Sequence, residues 1–167
     1  MKDRGFTVIE LVVSIALLAI VAVGTSSRWF SADAFSADTL KSQLLAEARL
    51  AQRTALSNSQ VVVHLVVSQS SNKWRYQIFI DSSGATTLMR EVQADVDRVT
   101  IQVTGGVSTT LVPGADLDLQ YDDLGNLSGV TLAGVAGNVD SGLSFLLAGN
   151  RTFCISPLGF AHDGSCI

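Results

Sequence analysis

The chain has 167 residues, 11 Lys and Arg against 15 Asp and Glu, a formal net charge of −4 and two cysteines. That length suits one ordinary domain plus an anchor. The mildly acidic balance argues against a large phosphate-binding surface, because nucleic-acid binding rests on clustered Lys and Arg.

The first element is a short charged segment, Met1-Lys2-Asp3-Arg4. Gly5-Phe6-Thr7-Val8-Ile9-Glu10-Leu11 follows, then an apolar run from Val12 to Val23 broken only by Ser14. Twelve Leu, Ile, Val or Phe residues lie between Phe6 and Val23. Together they favour insertion into a bilayer by roughly 4 to 7 kcal/mol. An ionised Glu costs at most about 3 kcal/mol at the bilayer centre, and less near an edge. Insertion therefore wins with Glu10 in place. No charge falls between Glu10 and Arg28, so the run, about 6–27, is long enough to span as one helix. Lys2 and Arg4 would hold the N-terminus in the cytoplasm and leave the rest of the chain outside it. Two plainer readings remain open: an ordinary signal peptide cut near Ala22-Val23-Gly24, and an uncleaved signal anchor. Neither needs the acid at Glu10 or the Gly-Phe pair before it.

The helix is expected to continue past the membrane, over 6–57. Gly24-Thr25-Ser26-Ser27 is a weak spot of poor helix formers, and Ser36-Ala37-Asp38 offers capping residues. From Leu40 to Leu56 the apolar residues Leu40, Leu44, Ala48, Ala51 and Ala55 recur at helical spacing. Lys41, Glu47, Arg49, Gln52 and Arg53 fill the other faces. The stripe is small, so a flat partner such as a β-sheet can approach it closely. Asn58 and Ser59 end it.

After Gln60 the period changes to two. Strands are predicted at Val61–Val67, Trp74–Ile80, Val92–Val96, Val99–Val103, Leu117–Tyr121 and Val130–Leu132. A hairpin of Leu143–Leu147 with Thr152–Ile155 turns around Ala148-Gly149-Asn150. The phase slip between Val96 and Val99 suggests a bulge near Asp97-Arg98. The segment from Thr104 to Pro113 and the tail from Pro157 to Ile167 read as loops. One long N-terminal helix followed only by strands is an α+β pattern: a membrane-spanning first half, and an amphipathic second half packed on an antiparallel sheet domain over 58–167.

The N-terminal arrangement resembles that of the type IV pilins and the pseudopilins of type II secretion. The resemblance implies a leader over residues 1–5, cleavage after Gly5 by a prepilin peptidase, and N-methylation of the new first residue, Phe6. It also implies that Glu10 pairs with the free N-terminus of a neighbouring subunit. That pairing is physically reasonable, since an unpartnered carboxylate in an apolar bundle is penalised and an adjacent ammonium removes much of the penalty. Glu47-Ala48-Arg49-Leu50-Ala51-Gln52-Arg53, Tyr121-Asp122-Asp123-Leu124-Gly125-Asn126 and Cys154-Ile155-Ser156-Pro157-Leu158-Gly159-Phe160 resemble the GspH/FimT group of minor pilins and pseudopilins. A minor subunit of an MSHA-type pilus is a narrower version of the same likeness.

The implied function is that of a structural filament subunit, with no enzymatic activity and no cofactor. Its implied partners are other pilin or pseudopilin subunits, the prepilin peptidase/N-methyltransferase, an inner-membrane assembly platform, and lipid before assembly. Its implied place is the bacterial inner membrane, as a single-pass protein, and then a pilus or pseudopilus. A pilus-tip adhesive or DNA-binding module on the same anchor is the alternative. The sequence departs from the family in two places. Many pilins have a proline near Ser27. FimT-like DNA binders use basic C-terminal residues, and this chain has no Lys or Arg after Arg151.

For a domain outside the cytoplasm, the pair Cys154 and Cys166 reads as a disulfide sooner than a metal site, with two free thiols as the other possibility. The remaining candidates have bland readings beside sharp ones. His162-Asp163 lacks the Gly-x-Ser-x-Gly elbow that a triad would need and reads as a solvent-facing tail. His64 shares a strand face with Val62 and Val66 and reads as a hydrogen-bonded strand histidine. Asp116, Asp118, Asp122 and Asp123 could supply calcium oxygens, but their spacing does not match an EF-hand and no metal is expected. Lys41, Arg49, Arg53 and Arg90 could form a DNA-binding strip. They read more simply as a solvated or subunit-contacting face.

Overall fold

A computed structural model describes residues 8–26, 32–70, 73–96, 99–148 and 150–166. The chain divides into two compact units, Met1–Ala32 and Asp33–Ile167. The first contains helix α1, Val8–Ser26. Its nineteen described residues reach about 28 Å at 1.5 Å each. Among the described residues, no helix is long and apolar enough to cross a membrane. The expected span of 6–27 runs past both ends of α1 and so lies partly outside the described residues.

Helix α2, Ala32–Ser57, belongs to the second unit from Asp33 onward. The single helix expected over 6–57 is thus described as two, with 27–31 outside the described residues. The expected cap at Ser36–Asp38 is not a helix start. Thr39 and Ser42 donate their hydroxyls back to the carbonyls of Phe35 and Asp38, at 2.9 and 2.8 Å. These polar side chains are satisfied inside the helix and do not terminate it. The other end stops as expected. Asn58 donates its amide to the Thr54 carbonyl at 2.7 Å, and Gln60 turns the chain with a φ of 64°. The stripe Leu40, Leu44, Ala48, Ala51 and Ala55 is fully buried, joined by Ala37.

Eleven strands follow among the described residues: β1 Val62–Ser70, β2 Lys73–Ser82, β3 Ala85–Asp95, β4 Ile101–Gly105, β5 Thr109–Thr110, β6 Asp116–Tyr121, β7 Leu127–Leu132, β8 Val135–Gly137, β9 Leu143–Leu147, β10 Arg151–Ile155 and β11 Ala161–Asp163. They build the antiparallel sheet domain that was expected, divided into two sheets. The first has order β3-β2-β1-β6-β7-β8, the second β11-β10-β9-β4-β5. The alternation predicted for β1, β2 and β6 holds, with Val63, Leu65, Val67, Trp74, Tyr76, Ile78, Leu117, Leu119 and Tyr121 buried, and β9 likewise buries Leu143, Phe145 and Leu147. Phe145 and Phe153 face each other across the β9–β10 ladder, ring centres 4.4 Å apart.

Three corrections concern strands. The tail is not all loop, because β11 pairs with β10 in the register Cys154↔His162. The segment between Thr104 and Pro113 contains β5, paired with β4. The strand predicted at Val92–Val96 starts at Ala85, because Ser83 and Gly84, with φ of 55° and 82°, make the two-residue turn that folds β3 back on β2. The bulge expected at Asp97-Arg98 falls outside the described residues. Register shifts occur at Ile78/Phe79 and Gln120/Tyr121.

α2 lies against both sheets and shares one core cluster with them. Glu47 accepts from Arg90 on β3 at 3.1 Å, and Arg49 donates to the Ala161 carbonyl on β11 at 3.0 Å. The buried stripe of α2 belongs to the same core cluster as both sheets.

Candidate functional site

The N-terminal segment carries the strongest sequence signal. Gly5 and Phe6 lie outside the described residues. Glu10 lies in the first described turn of α1. Ser14 donates its hydroxyl to the Glu10 carbonyl at 2.7 Å, so its polarity is spent within the helix. Residues 8–19 are exposed all round, with Val8, Ile9, Leu11, Val12, Val13, Ile15, Leu17 and Leu18 between 52% and 82% accessible. A helix apolar on every face gains nothing from water and needs lipid or other helices around it.

In the second unit, a clasp forms at Gln52. Its amide donates to the Gly125 carbonyl at 3.2 Å and to the Leu158 carbonyl at 2.9 Å. Leu127 donates its amide to the Pro157 carbonyl at 2.9 Å. Asp122 shapes the turn before Leu127, accepting from the amides of Leu124 and Asn126 at 3.0 and 2.8 Å. Gly159, with a φ of +78°, lies so close that a Cβ there would stand 2.0 Å from the Gly125 carbonyl oxygen. The helix segment 47–53, the turn 121–126 and the segment 154–160 therefore meet at one place. Sequence reasoning singled out these three segments separately and missed Gln52 as their link. Its position at the border of the buried stripe, between Ala51 and Ala55, was the available signal.

The cations of the imagined DNA strip are largely engaged. Lys41 pairs with Asp163, Arg90 with the nearly buried Glu47, and Arg49 with the Ala161 carbonyl. Arg53 is exposed and takes part in no ion pair among the described residues. Arg151 grips Asp38, with one guanidinium nitrogen 3.0 Å from Oδ2. These contacts hold the Asp38 carboxyl below its usual range through the Arg151 hydrogen bond, and that of Asp163 through Lys41.

His64 Nδ1 stands 3.0 and 3.1 Å from the two carboxylate oxygens of Asp118, across the β1–β6 ladder. That hydrogen bond raises the imidazole pKa against the opposing effect of burial. His162 is exposed, with Nδ1 3.0 Å from the Asp163 carbonyl. Of the four aspartates weighed for calcium, Asp118 is taken by His64 and Asp122 by its own turn. Among the described residues, no three His, Cys, Asp or Glu side chains converge as a metal site. Cys154 and Cys166 form a disulfide, Cα atoms 5.1 Å apart, within the range a bridge requires. It ties the end of the chain to β10.

Residues 1–26 match the family model described as the prokaryotic N-terminal methylation motif. No curated protein and no solved structure matches the chain. The matched segment contains Gly5, Phe6 and Glu10. It supports a type IV pilin-like precursor, and the motif implies processing by a prepilin peptidase, methylation and assembly with other pilins.

Proposed function

We propose that the protein is a minor pilin or pseudopilin, a structural subunit of a type IV pilus or type II secretion pseudopilus and not an enzyme. The observation that carries this reading is the methylation motif running into a helix that is apolar on every described face and holds one carboxylate, Glu10, in its first described turn. In this reading the peptidase removes Met1–Gly5 and methylates Phe6. The chain waits in the inner membrane, N-terminus cytoplasmic and body periplasmic, until an assembly platform extracts α1 into the apolar centre of the filament. Glu10 then pairs with a neighbour's free N-terminus.

The clasp at Gln52 supports assignment to the GspH/FimT kind, because it joins the three internal segments that resemble that group. A tip-borne DNA-binding role has less support, since Lys41, Arg49 and Arg90 are each engaged within the body.

Mass spectrometry of the N-terminus of protein isolated from cells tests the proposal. The expected mature chain begins at methyl-Phe6; a chain beginning after Gly24 would overturn it. Glu10→Ala should leave processing intact and reduce the amount recovered in sheared filaments. Normal recovery would rule out the pairing role.

A further inference from the structure

Asp163 and Gly164 form the single Asp-Gly pair in the sequence, and the sequence has no Asn-Gly pair. Asp163 is the last residue of β11, and its side chain is 75% exposed. The Gly164 amide donates to Asp163 Oδ1 at 3.0 Å. Aspartates often bond the backbone that follows them; what matters here is which residue follows. The amide nitrogen of Gly164 is held against the carboxyl group that it would attack to close a five-membered imide. Gly164 has no side chain to shield that nitrogen, its φ is +97°, and a Cβ built on it would meet nothing within 4 Å. No neighbour crowds that side of the bond.

Three contacts oppose that closure. Lys41 on α2 pairs with Asp163 Oδ1 and, with a smaller contribution from Arg49, holds the carboxyl below its usual range. Imide closure is fastest from the neutral acid, whose oxygen leaves as water, so an ionised carboxylate reacts slowly. The Lys41 side chain is 15% exposed, so its cation is set by the body and the carboxylate comes to it. The Gly164 amide also donates to the Thr152 carbonyl at 3.2 Å. The Cys154–Cys166 bridge then anchors the chain two residues beyond Gly164.

We infer that Asp163–Gly164 is a site of spontaneous backbone isomerisation and that Lys41 restrains it. The Gly164 nitrogen bonds to Asp163 Cγ, the Cγ–O bond breaks, and the hydroxyl leaves as water with the amide proton. A second water attacks the main-chain carbonyl carbon of residue 163, and the bond from that carbon to the Gly164 nitrogen breaks. The product is isoaspartate. One water is lost and one is taken up, so the step needs no oxidant, cofactor or partner. The main chain then runs through Cβ and Cγ, one methylene longer, and the carboxylate sits on Cα. That displaces the carboxylate from Lys41 and alters the path from β11 to the bridge.

The test ages the full-length chain in detergent at neutral pH with its bridge intact, then reduces it and cuts it with trypsin. No Lys or Arg follows Arg151, so the last tryptic peptide is Thr152–Ile167. Isoaspartate appears in it as a shifted elution at unchanged mass, and the imide as the loss of one water. K41M should raise the rate at Asp163 severalfold, as the fraction of neutral acid rises, and K41R, which keeps the cation, should hold it low. The exposed Asp140–Ser141 pair serves as the internal comparison and should not change. D163N closes the same imide by losing ammonia, so its faster conversion reports that the backbone reaches the closing geometry. No isoaspartate at Asp163 even in K41M, equal rates with and without Lys41, a matching rise at Asp140, or a stable D163N would each overturn the inference. The filament reading is scored at the other end of the chain by methyl-Phe6, so either can fail while the other stands.

Discussion

Helix α1 and helix α2 solve burial in opposite ways. Every described side chain of α1 is exposed, so its apolar surface must be covered by something outside its unit. α2 buries the stripe from Ala37 to Ala55 against strands of its own chain and ties its polar flanks to them through Glu47, Arg49 and Gln52. Stability in the second unit is thus internal, while whatever α1 contributes depends on its surroundings. The comparison explains how a chain can hold a folded body and still carry a helix that water alone does not favour.

The sharpest way to break this comparison is to remove core volume from each region. Trp74 is fully buried. Trp74→Ala should cost about 3–5 kcal/mol, read as a lower denaturation midpoint for the full chain in detergent. Leu17→Ala on α1 should leave that midpoint unchanged and weaken retention in membranes. An equal loss of midpoint in both variants would show that the two regions do not behave separately.

Removing the bridge with Cys154→Ser and Cys166→Ser should cost about 3 kcal/mol, the loop-closure value for a short ring, here of sequence separation 12. The same melt reads it, and treatment of the unsubstituted protein with a reductant should reproduce the shift.

The clasp is tested by two alanines. Gly159 and Gly134 both have φ near +80°, but only at Gly159 does a Cβ meet backbone, 2.0 Å from the Gly125 carbonyl oxygen. Gly134→Ala should cost about 1 kcal/mol for the left-handed backbone alone. Gly159→Ala should cost about 1–3 kcal/mol more, because the clasp must open. Equal losses would mean that the close approach carries no energy.

The smallest effect is electrostatic. The folded His64 imidazole has a raised pKa because Asp118 favours its cation. Its contribution is therefore fully present below the unfolded value of about 6.5 and is lost as pH rises through the higher folded value. The size should be under about 1 kcal/mol for a partly solvated pair. His64→Gln should flatten that part of the stability profile, and a profile unchanged by the substitution would remove the pair from the account.

Much of this was legible in the sequence. The stripe on α2, the alternation in β1, β2 and β6 and the hairpin around 148–150 follow from periodicity and turn residues, and the Cys154–Cys166 bridge was favoured over free thiols from the even cysteine pair and the expected compartment. The strands that were missed, β5, β8 and β11, have two or three residues each. No alternation can declare itself over so short a run, and what makes them strands is the ladder beside them. The start of α2 was misplaced because Ser36 and Asp38 are good caps in isolation, while Arg151 claims the Asp38 carboxylate from a distant strand.

The sequence by itself determined the N-terminal motif, the need of α1 for an apolar environment, and the class of the body, because each depends on residues close together along the chain. Only the tertiary structure decided that the strands divide into two sheets, that α2 bridges them, and that Gln52 joins three distant segments. Those features depend on backbone carbonyls and side chains brought together from more than 100 residues apart. Local pattern carries no information about such meetings until the chain has closed.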